Sequence, residues 1–107
     1  MKKVLVFTGT YNEAENILTF IDTVFKSCDQ VDLLIVDDNS PDGTSKIINL
    51  HEKINKELFL IKREKKLGLD TAHKLAYKYA KSKGYEKLIT LDADLSHDAS
   101  KIPTFIN

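Results

Sequence analysis

The sequence predicts an α/β fold: a doubly wound, mostly parallel sheet in the order 3-2-1-4, with helices on both faces. Four short apolar runs alternate with three helical patterns, and strands separated by helices pair in parallel through right-handed crossovers. The 107 residues are enough for one compact domain. We therefore expect a single α/β domain over residues 1–107.

The four predicted strands are short apolar runs, at residues 3–8, 31–36, 58–62 and 87–91. Their continuous apolar character is typical of parallel strands that are covered on both faces. Turn-forming residues end the first two runs, with Gly9 after the first and Pro41 and Gly43 after the second. Each run is therefore expected to lead into a polar loop.

The three predicted helices differ in how clearly the sequence marks them. The first has an apolar stripe at helical spacing, and Asn12 with Glu15 resembles a capping box that starts it directly after the first loop. The second places isoleucines on its inner side, and the third spans residues 69–83 with Gly84 as its C-terminal cap. The inward residues of the first two are Ile17, Leu18, Ile21, Val24, Phe25, Ile47, Ile48 and Ile54.

Charge and composition exclude several classes of function. Sixteen Lys and Arg balance sixteen Asp and Glu, so no net field attracts nucleic acid or an anionic membrane surface. No run reaches the roughly 18 apolar residues of a membrane span. The single cysteine, Cys28, forms no internal disulfide and is expected to be half-buried. These features predict a cytoplasmic protein with neither a nucleic-acid partner nor a membrane span in this chain.

Polar clusters follow three of the predicted strands, at residues 10–13 (TYNE), 37–43 (DDNSPDG) and 92–98 (DADLSHD). The carboxyl ends of parallel strands share one edge of the sheet, and a ligand crevice opens where the strand order reverses. In the order 3-2-1-4 that reversal lies between the first and fourth strands. We therefore expect the first and third clusters to face each other there.

The third cluster places two carboxylates, Asp92 and Asp94, on the same side of an extended segment. Such proximity is unfavourable without a cation, and carboxylate oxygens suit Mg2+ or Mn2+. The small Ala93 leaves room for a ligand near the backbone. The sequence has no P-loop, dinucleotide-binding glycine turn, CxxC or HExxH pattern. The pair is therefore a candidate site for a divalent cation.

Four segments together resemble the family 2 glycosyltransferases with a GT-A fold, and within them the polyprenol-phosphate (dolichol-phosphate) mannose synthases. The segments are TYNEAENI at 10–17, IVDDNSPDGT at 35–44, REKKLGLDTA at 63–72 and LDADLSHD at 91–98. Their order and spacing match the family. The resemblance implies that this domain is the nucleotide-binding half of a GT-A fold.

The resemblance also implies roles for individual residues. In the family, the positions of Gly9, Tyr11 and Glu13 contact the nucleotide, and so do those of Val36 and Asp38, the latter at the edge of the base. Asp92, Ala93 and Asp94 match the D-x-D element, whose aspartates reach the donor diphosphate through the metal. The nucleotide-sugar-binding candidates are therefore Gly9, Tyr11, Glu13, Val36, Asp38, Asp92, Ala93 and Asp94.

The reaction implied by the resemblance transfers mannose from GDP-mannose to a polyprenyl (dolichyl) phosphate. The acceptor phosphate is itself an anionic nucleophile, so no general base is nominated and the catalytic residues stay unknown. Family enzymes are longer and some carry membrane helices. We therefore expect this chain to be the N-terminal, donor-binding portion of a truncated enzyme. Membrane association would come from other segments or a partner.

Other functions and roles stay open at this point. The alternatives are a receiver-like Mg2+-binding signalling domain, a polyprenyl-phosphate glucosyltransferase, and a folded remnant that assembles with another chain. An exposed sheet edge would favour self-association. Several polar residues have structural interpretations: Asp37 as a ligand of loop amides, Asp42 as a turn or helix cap, His51 and His73 as solvated helix residues, and Lys62, Arg63, Lys65 and Lys66 as a solubilising loop. The alternative for one of these four cations is contact with a phosphate.

Overall fold

The computed structural model describes residues 2–28, 30–64 and 69–91, with Leu69 described by its backbone alone. The chain alternates between strands and helices throughout this part. The elements are β1 Val4–Thr10, α1 Ile17–Ser27, β2 Val31–Asp37, α2 Thr44–Asn49, β3 Leu58–Lys62, α3 Leu69–Lys83 and β4 Lys87–Thr90.

The four described strands form one sheet in the order β3-β2-β1-β4, and each adjacent pair is parallel. The predicted fold class and strand order are confirmed. The register aligns the carboxyl ends of three strands, because Thr10 lies opposite Asp37 and Asp37 lies opposite Lys62. The loops that follow β1, β2 and β3 therefore leave the sheet side by side.

Both faces of the sheet are covered, which explains why β1 and β2 are buried at nearly every position. On one face the side chains of α1 and α2 pack with the strand residues Val6, Leu33 and Ile35. On the other face α3 packs against Leu5 and Leu34. The side chains of α3 that meet the sheet are small, namely Ala72, Ala76 and Ala80, so this helix can lie close to the strands.

The predicted start of the first helix was wrong. α1 begins at Ile17 and its N-cap residue, Asn16, makes no side-chain capping hydrogen bond. Asn12 instead adopts a left-handed conformation with φ of 58°, which a helix cannot continue. The carbonyl of Glu13 accepts the N–H groups of Asn16 and Ile17. Residues 11–16 therefore form a folded loop, and the capping-box pattern does not act as a cap.

Three smaller predictions have clear outcomes. Gly84 ends α3 with φ of 84°, as expected of a C-terminal cap, and Cys28 is half-buried just after α1.

The prediction of solvated histidines was wrong. His51 lies in a turn after α2 and its side chain is only 10% exposed, with Nε2 3.1 Å from Asp22 Oδ1. His73 is half-buried, and its ring meets Phe7 edge-on.

Over the described residues, no helix combines the length and apolar character needed to cross a membrane.

Candidate functional site

The centre of the carboxyl edge of the sheet is the buried carboxylate of Asp37, the last residue of β2. Oδ1 accepts hydrogen bonds from the hydroxyls of Thr10 and Ser40, both at 2.6 Å, and Oδ2 accepts the Ser40 N–H at 3.1 Å. Asp37 is 0% exposed, so these donors replace the water it has lost. The structural interpretation of Asp37 is confirmed, because it binds a loop amide and joins β1 to the β2 loop.

The loop after β1 is anchored through its main chain to the loop after β2. Three successive N–H groups donate to side chains of the second loop and of the first residue of α2: Asn12 to Ser40 Oγ at 2.9 Å, Glu13 to Thr44 Oγ1 at 3.1 Å, and Ala14 to Asp42 Oδ2 at 3.0 Å. These bonds fix the path of the first loop. They also occupy the amides of Asn12, Glu13 and Ala14.

Asp42 stabilises the junction between the two loops and α2. Its Oδ1 accepts the Thr44 N–H at 3.1 Å and the Thr44 hydroxyl. The hydroxyl of Thr44 lowers the pKa of the Asp42 carboxyl below its ordinary value, an effect that the N–H of Ala14 reinforces. Asp42 is thus confirmed as a turn and helix-start residue.

Asp38 follows β2 directly and is paired with Arg63, which follows β3. Arg63 Nη2 donates to Asp38 Oδ2 at 2.8 Å and Nε donates to Oδ1, which makes a two-pronged pair. Each side chain is 11% exposed. Arg63 Nη1 also donates to Thr71 Oγ1 at 2.8 Å, so the arginine connects Asp38 to the first turn of α3.

The described candidate residues all lie at the carboxyl edge, but they differ in what they can offer a ligand. Tyr11 is 39% exposed and Glu13 is half-buried on the first loop. Asp38 is 8% exposed. Gly9 lies opposite Val36 in the register of β1 and β2. The side chain of Val36 is 1% exposed and packs in the core under α3, so it has almost no surface for a ligand.

The remaining candidates, Asp92, Ala93 and Asp94, lie outside the described residues, as does His97. The described chain ends at Leu91, which leads into them. The N–H of Leu91 donates to the carbonyl of Phe7 at 3.0 Å. β4 therefore leaves the sheet beside β1 and at the same edge as the first loop, as the strand order predicts.

Two described carboxylates at this edge are bound to protein donors. The carboxylate of Asp37 accepts hydrogen bonds from hydroxyls and an amide, and the carboxylate of Asp38 accepts them from a guanidinium. Among the residues that the structure describes, no group of three or more His, Cys, Asp or Glu is arranged to hold a metal ion. Asp92 and Asp94, whose carboxylates are the donor type that Mg2+ and Mn2+ prefer, lie outside the described residues, so the cation site stays a prediction.

Sequence reasoning placed Arg63 in a charged loop, one of whose cations was left as a possible phosphate contact, and it missed the pair that Arg63 forms with Asp38. The available signal was its position: Arg63 comes directly after β3, just as Asp38 comes directly after β2. Ser40 and Thr44 were also missed. Nothing in their local sequence indicates that their hydroxyls accept amides from a loop 28 and 31 residues earlier.

Comparisons with known proteins agree with this architecture. The family model described as "Glycosyl transferase family 2" matches residues 5–107. The chain is 32% identical over 107 residues to the polyprenol monophosphomannose synthase of Mycolicibacterium smegmatis, covering 99% of this chain and 40% of that protein. It is 30% identical over 104 residues to the undecaprenyl-phosphate mannosyltransferase of Micrococcus luteus, covering 97% and 43%. The chain thus spans about two fifths of the length of these curated relatives.

A solved structure shares the fold. It is that of the mannosyltransferase PcManGT from Pyrobaculum calidifontis in complex with GDP-Man and Mn2+. The TM-score is 0.73 with 24% sequence identity, over 92% of this chain and 29% of that chain. At this identity the likeness concerns the fold, and it confirms the expected GT-A architecture.

Proposed function

The chain belongs to glycosyl transferase family 2, and from that premise we propose that it is the donor-binding part of a hexosyltransferase. The full enzyme would transfer mannose from GDP-mannose to a polyprenyl (dolichyl) phosphate. The names of the two relatives support a mannosyl transfer to a polyprenyl phosphate. The ligands named for the solved structure support GDP-mannose and a divalent metal. Family membership argues against the receiver-like alternative.

The observation that carries the proposal is the joined carboxyl edge of β1, β2 and β3. Tyr11 and Glu13 lie on a loop whose amides are fixed by Ser40, Thr44 and Asp42. We assign Tyr11, Glu13 and Gly9 to the nucleotide. Because side chains with a fixed backbone lose little entropy on binding, this loop is suited to orient a rigid nucleoside.

The second strand contributes Val36 and Asp38 to the proposed nucleotide site. Asp38 would accept hydrogen bonds from the edge of the base, since an ionised carboxylate is an acceptor alone. Val36 would act by shaping the floor of the site from the core, because its side chain is only 1% exposed.

The fourth strand leads to the proposed cation site. Asp92 and Asp94 would hold Mg2+ or Mn2+ beside Ala93, and the bound cation would supply Lewis-acid stabilisation of the diphosphate leaving group. The described chain leads toward them beside β1, where the N–H of Leu91 donates to the carbonyl of Phe7. The residues of this chain would bind and orient the donor, and no general base is assigned to them.

Calorimetric titration of GDP-mannose tests the proposal. We expect Mn2+ to tighten binding by roughly tenfold or more, and Asp94→Ala to remove that gain. Asp22→Ala removes an exposed carboxylate on α1 and should leave it unchanged. Equal affinity with metal, without metal and in Asp94→Ala would contradict the cation site. Tighter binding of UDP-glucose than of GDP-mannose would favour the glucosyltransferase alternative.

The proposed acceptor, a polyprenyl phosphate, indicates where in the cell the full enzyme would act. A polyprenyl phosphate resides in a membrane, so we propose a cytoplasmic site of action at the membrane surface, reached through other segments or a partner. Cell fractionation of the full-length protein tests this. Recovery in the cytosolic fraction alone would contradict it.

Self-association is a separate proposal. β4 lies at one end of the described sheet, and its apolar residues Leu88 and Ile89 are only half-buried. An uncovered strand edge offers backbone groups for pairing. Sedimentation of the chain should therefore show dimers at high concentration, and a strictly monomeric chain would contradict the proposal.

A further inference from the structure

Helix α3 carries a concentration of positive charge that the composition of the whole chain conceals. Its sequence contains four lysines and one acidic residue, Asp70. Because basic and acidic residues are equal in number over the whole chain, the other segments carry the matching excess of acid. The balanced total therefore excludes a net field, but it does not exclude a local one.

Three of these lysines lie on one flank of the helix. Lys74, Lys78 and Lys81 follow one another at the i, i+4 and i+3 intervals that bring side chains into a row, and all three are exposed. The row extends about 10 Å along the helix axis, which is close to the Debye length of about 8 Å at physiological ionic strength. The three charges therefore act together on a facing surface.

No carboxylate of the described residues forms an ion pair with this row. The ion pairs within the described part of the chain have His51, Lys53 and Arg63 as their basic partners. The fourth lysine of the helix, Lys83, is directed elsewhere, because its Nζ lies 5.9 Å from the centre of the Tyr79 ring. The row thus keeps its positive charge at the surface.

An exposed aromatic side chain lies on the same flank. Tyr77 comes three residues after Lys74 and four before Lys81, and it is 62% exposed. Tyrosine combines an apolar ring with a polar hydroxyl, and it is enriched where proteins meet the boundary between lipid and water. The opposite flank of α3 consists of alanines packed on the sheet. A helix with one packed flank and one basic, aromatic flank is typical of binding to a membrane surface.

The basic row begins close to the proposed donor site. Thr71 lies one turn before Lys74, and its Oγ1 accepts a hydrogen bond from Arg63 Nη1 at 2.8 Å at the carboxyl edge of the sheet. Helices α1 and α2 pack on the other face of the sheet. A flat surface that lies along α3 would therefore reach the carboxyl edge without meeting α1 or α2.

We infer that the outer flank of α3, formed by Lys74, Tyr77, Lys78 and Lys81, is a docking surface for the anionic headgroups of a phospholipid bilayer. The lysines complement the negative charge of the headgroups, and the ring suits the boundary beneath them. The choice of a bilayer over another polyanion rests on the proposed function, whose acceptor is a membrane lipid. The contact is made by this chain and adds to any made by other segments.

Sedimentation of the chain with vesicles tests the inference. We expect binding when one lipid in three is phosphatidylglycerol, and little binding to vesicles of phosphatidylcholine alone. A lysine near an anionic surface contributes roughly fivefold in affinity, so Lys74→Gln combined with Lys78→Gln should weaken binding by roughly 25-fold. An ionic strength of about 1 M, where the Debye length is about 3 Å, should abolish the binding of wild type.

Matched variants control for net charge and for folding. Lys26→Gln combined with Lys46→Gln removes the same charge from exposed positions of α1 and α2, on the other face of the sheet, and should leave vesicle binding unchanged. Lys78→Arg keeps the charge and should bind like wild type. Lys, Arg and Gln have similar helix propensities, so circular dichroism should show the same fold throughout. If the double variant does not fold, the single variant Lys78→Gln, with an expected loss of about fivefold, decides the question.

Two results would overturn the inference: equal binding to charged and uncharged vesicles, or an equal loss in the two double variants. Tighter binding of a duplex oligonucleotide than of the vesicles, at the same ionic strength, would also overturn it and mark the flank as a nucleic-acid surface. Calorimetry with GDP-mannose separates this inference from the proposed function. A chain that binds GDP-mannose but no vesicles loses the docking surface alone, whereas one that binds vesicles but no GDP-mannose contradicts the proposed function alone.

Discussion

The hydroxyl of Thr10 donates a 2.6 Å hydrogen bond to the buried carboxylate of Asp37, across the carboxyl ends of the two central strands. The two residues are also directly opposite each other in the parallel register. This contact joins the last residues of β1 and β2, at the point where the loops that follow these two strands begin. The geometry of the candidate site therefore depends on a side chain that makes no proposed contact with the ligand.

Replacing Asp37 by Ala should destabilise the fold strongly. The change leaves the hydroxyls of Thr10 and Ser40 without their buried acceptor, and such losses cost about 2–4 kcal/mol. Urea denaturation measures the free energy of unfolding. Glu52→Ala, in an exposed turn, should change it by about 0.5 kcal/mol or less. Equal effects of the two substitutions would contradict the role of Asp37.

Asp42 should make stability depend on pH at the acid end. Its pKa is lowered in the folded state by the Thr44 hydroxyl, from an ordinary value of 3.8. The carboxylate therefore contributes its stabilisation above pH 3.8 and loses it as the pH falls through the lower folded value. Wild type should melt at a higher temperature than Asp42→Asn at pH 6, and the difference should shrink below pH 3.8. A difference that stays constant down to pH 2 would be inconsistent with this prediction.

Tyr85 should make stability depend on pH at the alkaline end. Burial raises its pKa above the ordinary value of 10.0, and the hydrogen bond that its hydroxyl donates to Asp32 at 2.7 Å adds to the effect. The group therefore contributes its full stabilisation below pH 10 and loses it as the pH rises through the folded value.

Tyr85→Phe removes a hydrogen bond to a carboxylate that is 2% exposed. It should cost about 1–3 kcal/mol at pH 8, measured by urea denaturation. Between pH 10 and 11.5 the free energies of unfolding of wild type and variant should converge, because only wild type must ionise this phenol on unfolding. Tyr79, whose pKa burial also raises, is present in both proteins and serves as an internal control. Parallel curves would refute the assignment.

The close contact between α3 and the sheet should make its small residues intolerant of larger ones. Ala76 is 0% exposed and packs against β1 and β2. Ala76→Leu should cost about 1–3 kcal/mol through overpacking, as measured by urea denaturation. Lys78→Leu, on the exposed side of the same helix, should change the free energy of unfolding by about 0.5 kcal/mol or less. An increase in the free energy of unfolding of Ala76→Leu would contradict this prediction, because it would show unfilled space between α3 and the sheet.

Some features could be predicted because they depend on neighbouring residues. Apolar runs of strand length and the helical stripe of α1 follow from local periodicity, and Gly84 marks the end of α3 through its own backbone freedom. The prediction of where α1 begins failed because it also relied on neighbouring residues alone. Asn12 carries a capping pattern, yet its N–H is bound by Ser40, 28 residues away, and this contact outweighs the local preference.

The sequence by itself determined the alternation of strands and helices and the edge of the sheet at which polar residues collect, because these follow from periodicity and from the parallel pairing of strands that are joined by helices. The strand order 3-2-1-4 was an expectation that the structure confirmed. Only the tertiary structure decided that Asp37 is buried under Thr10 and Ser40, and that Asp38 is paired with Arg63. Arg63 lies 25 residues from Asp38 along the chain. Their pairing depends on the parallel register of β2 and β3, which brings the two strand ends together and which no local pattern encodes.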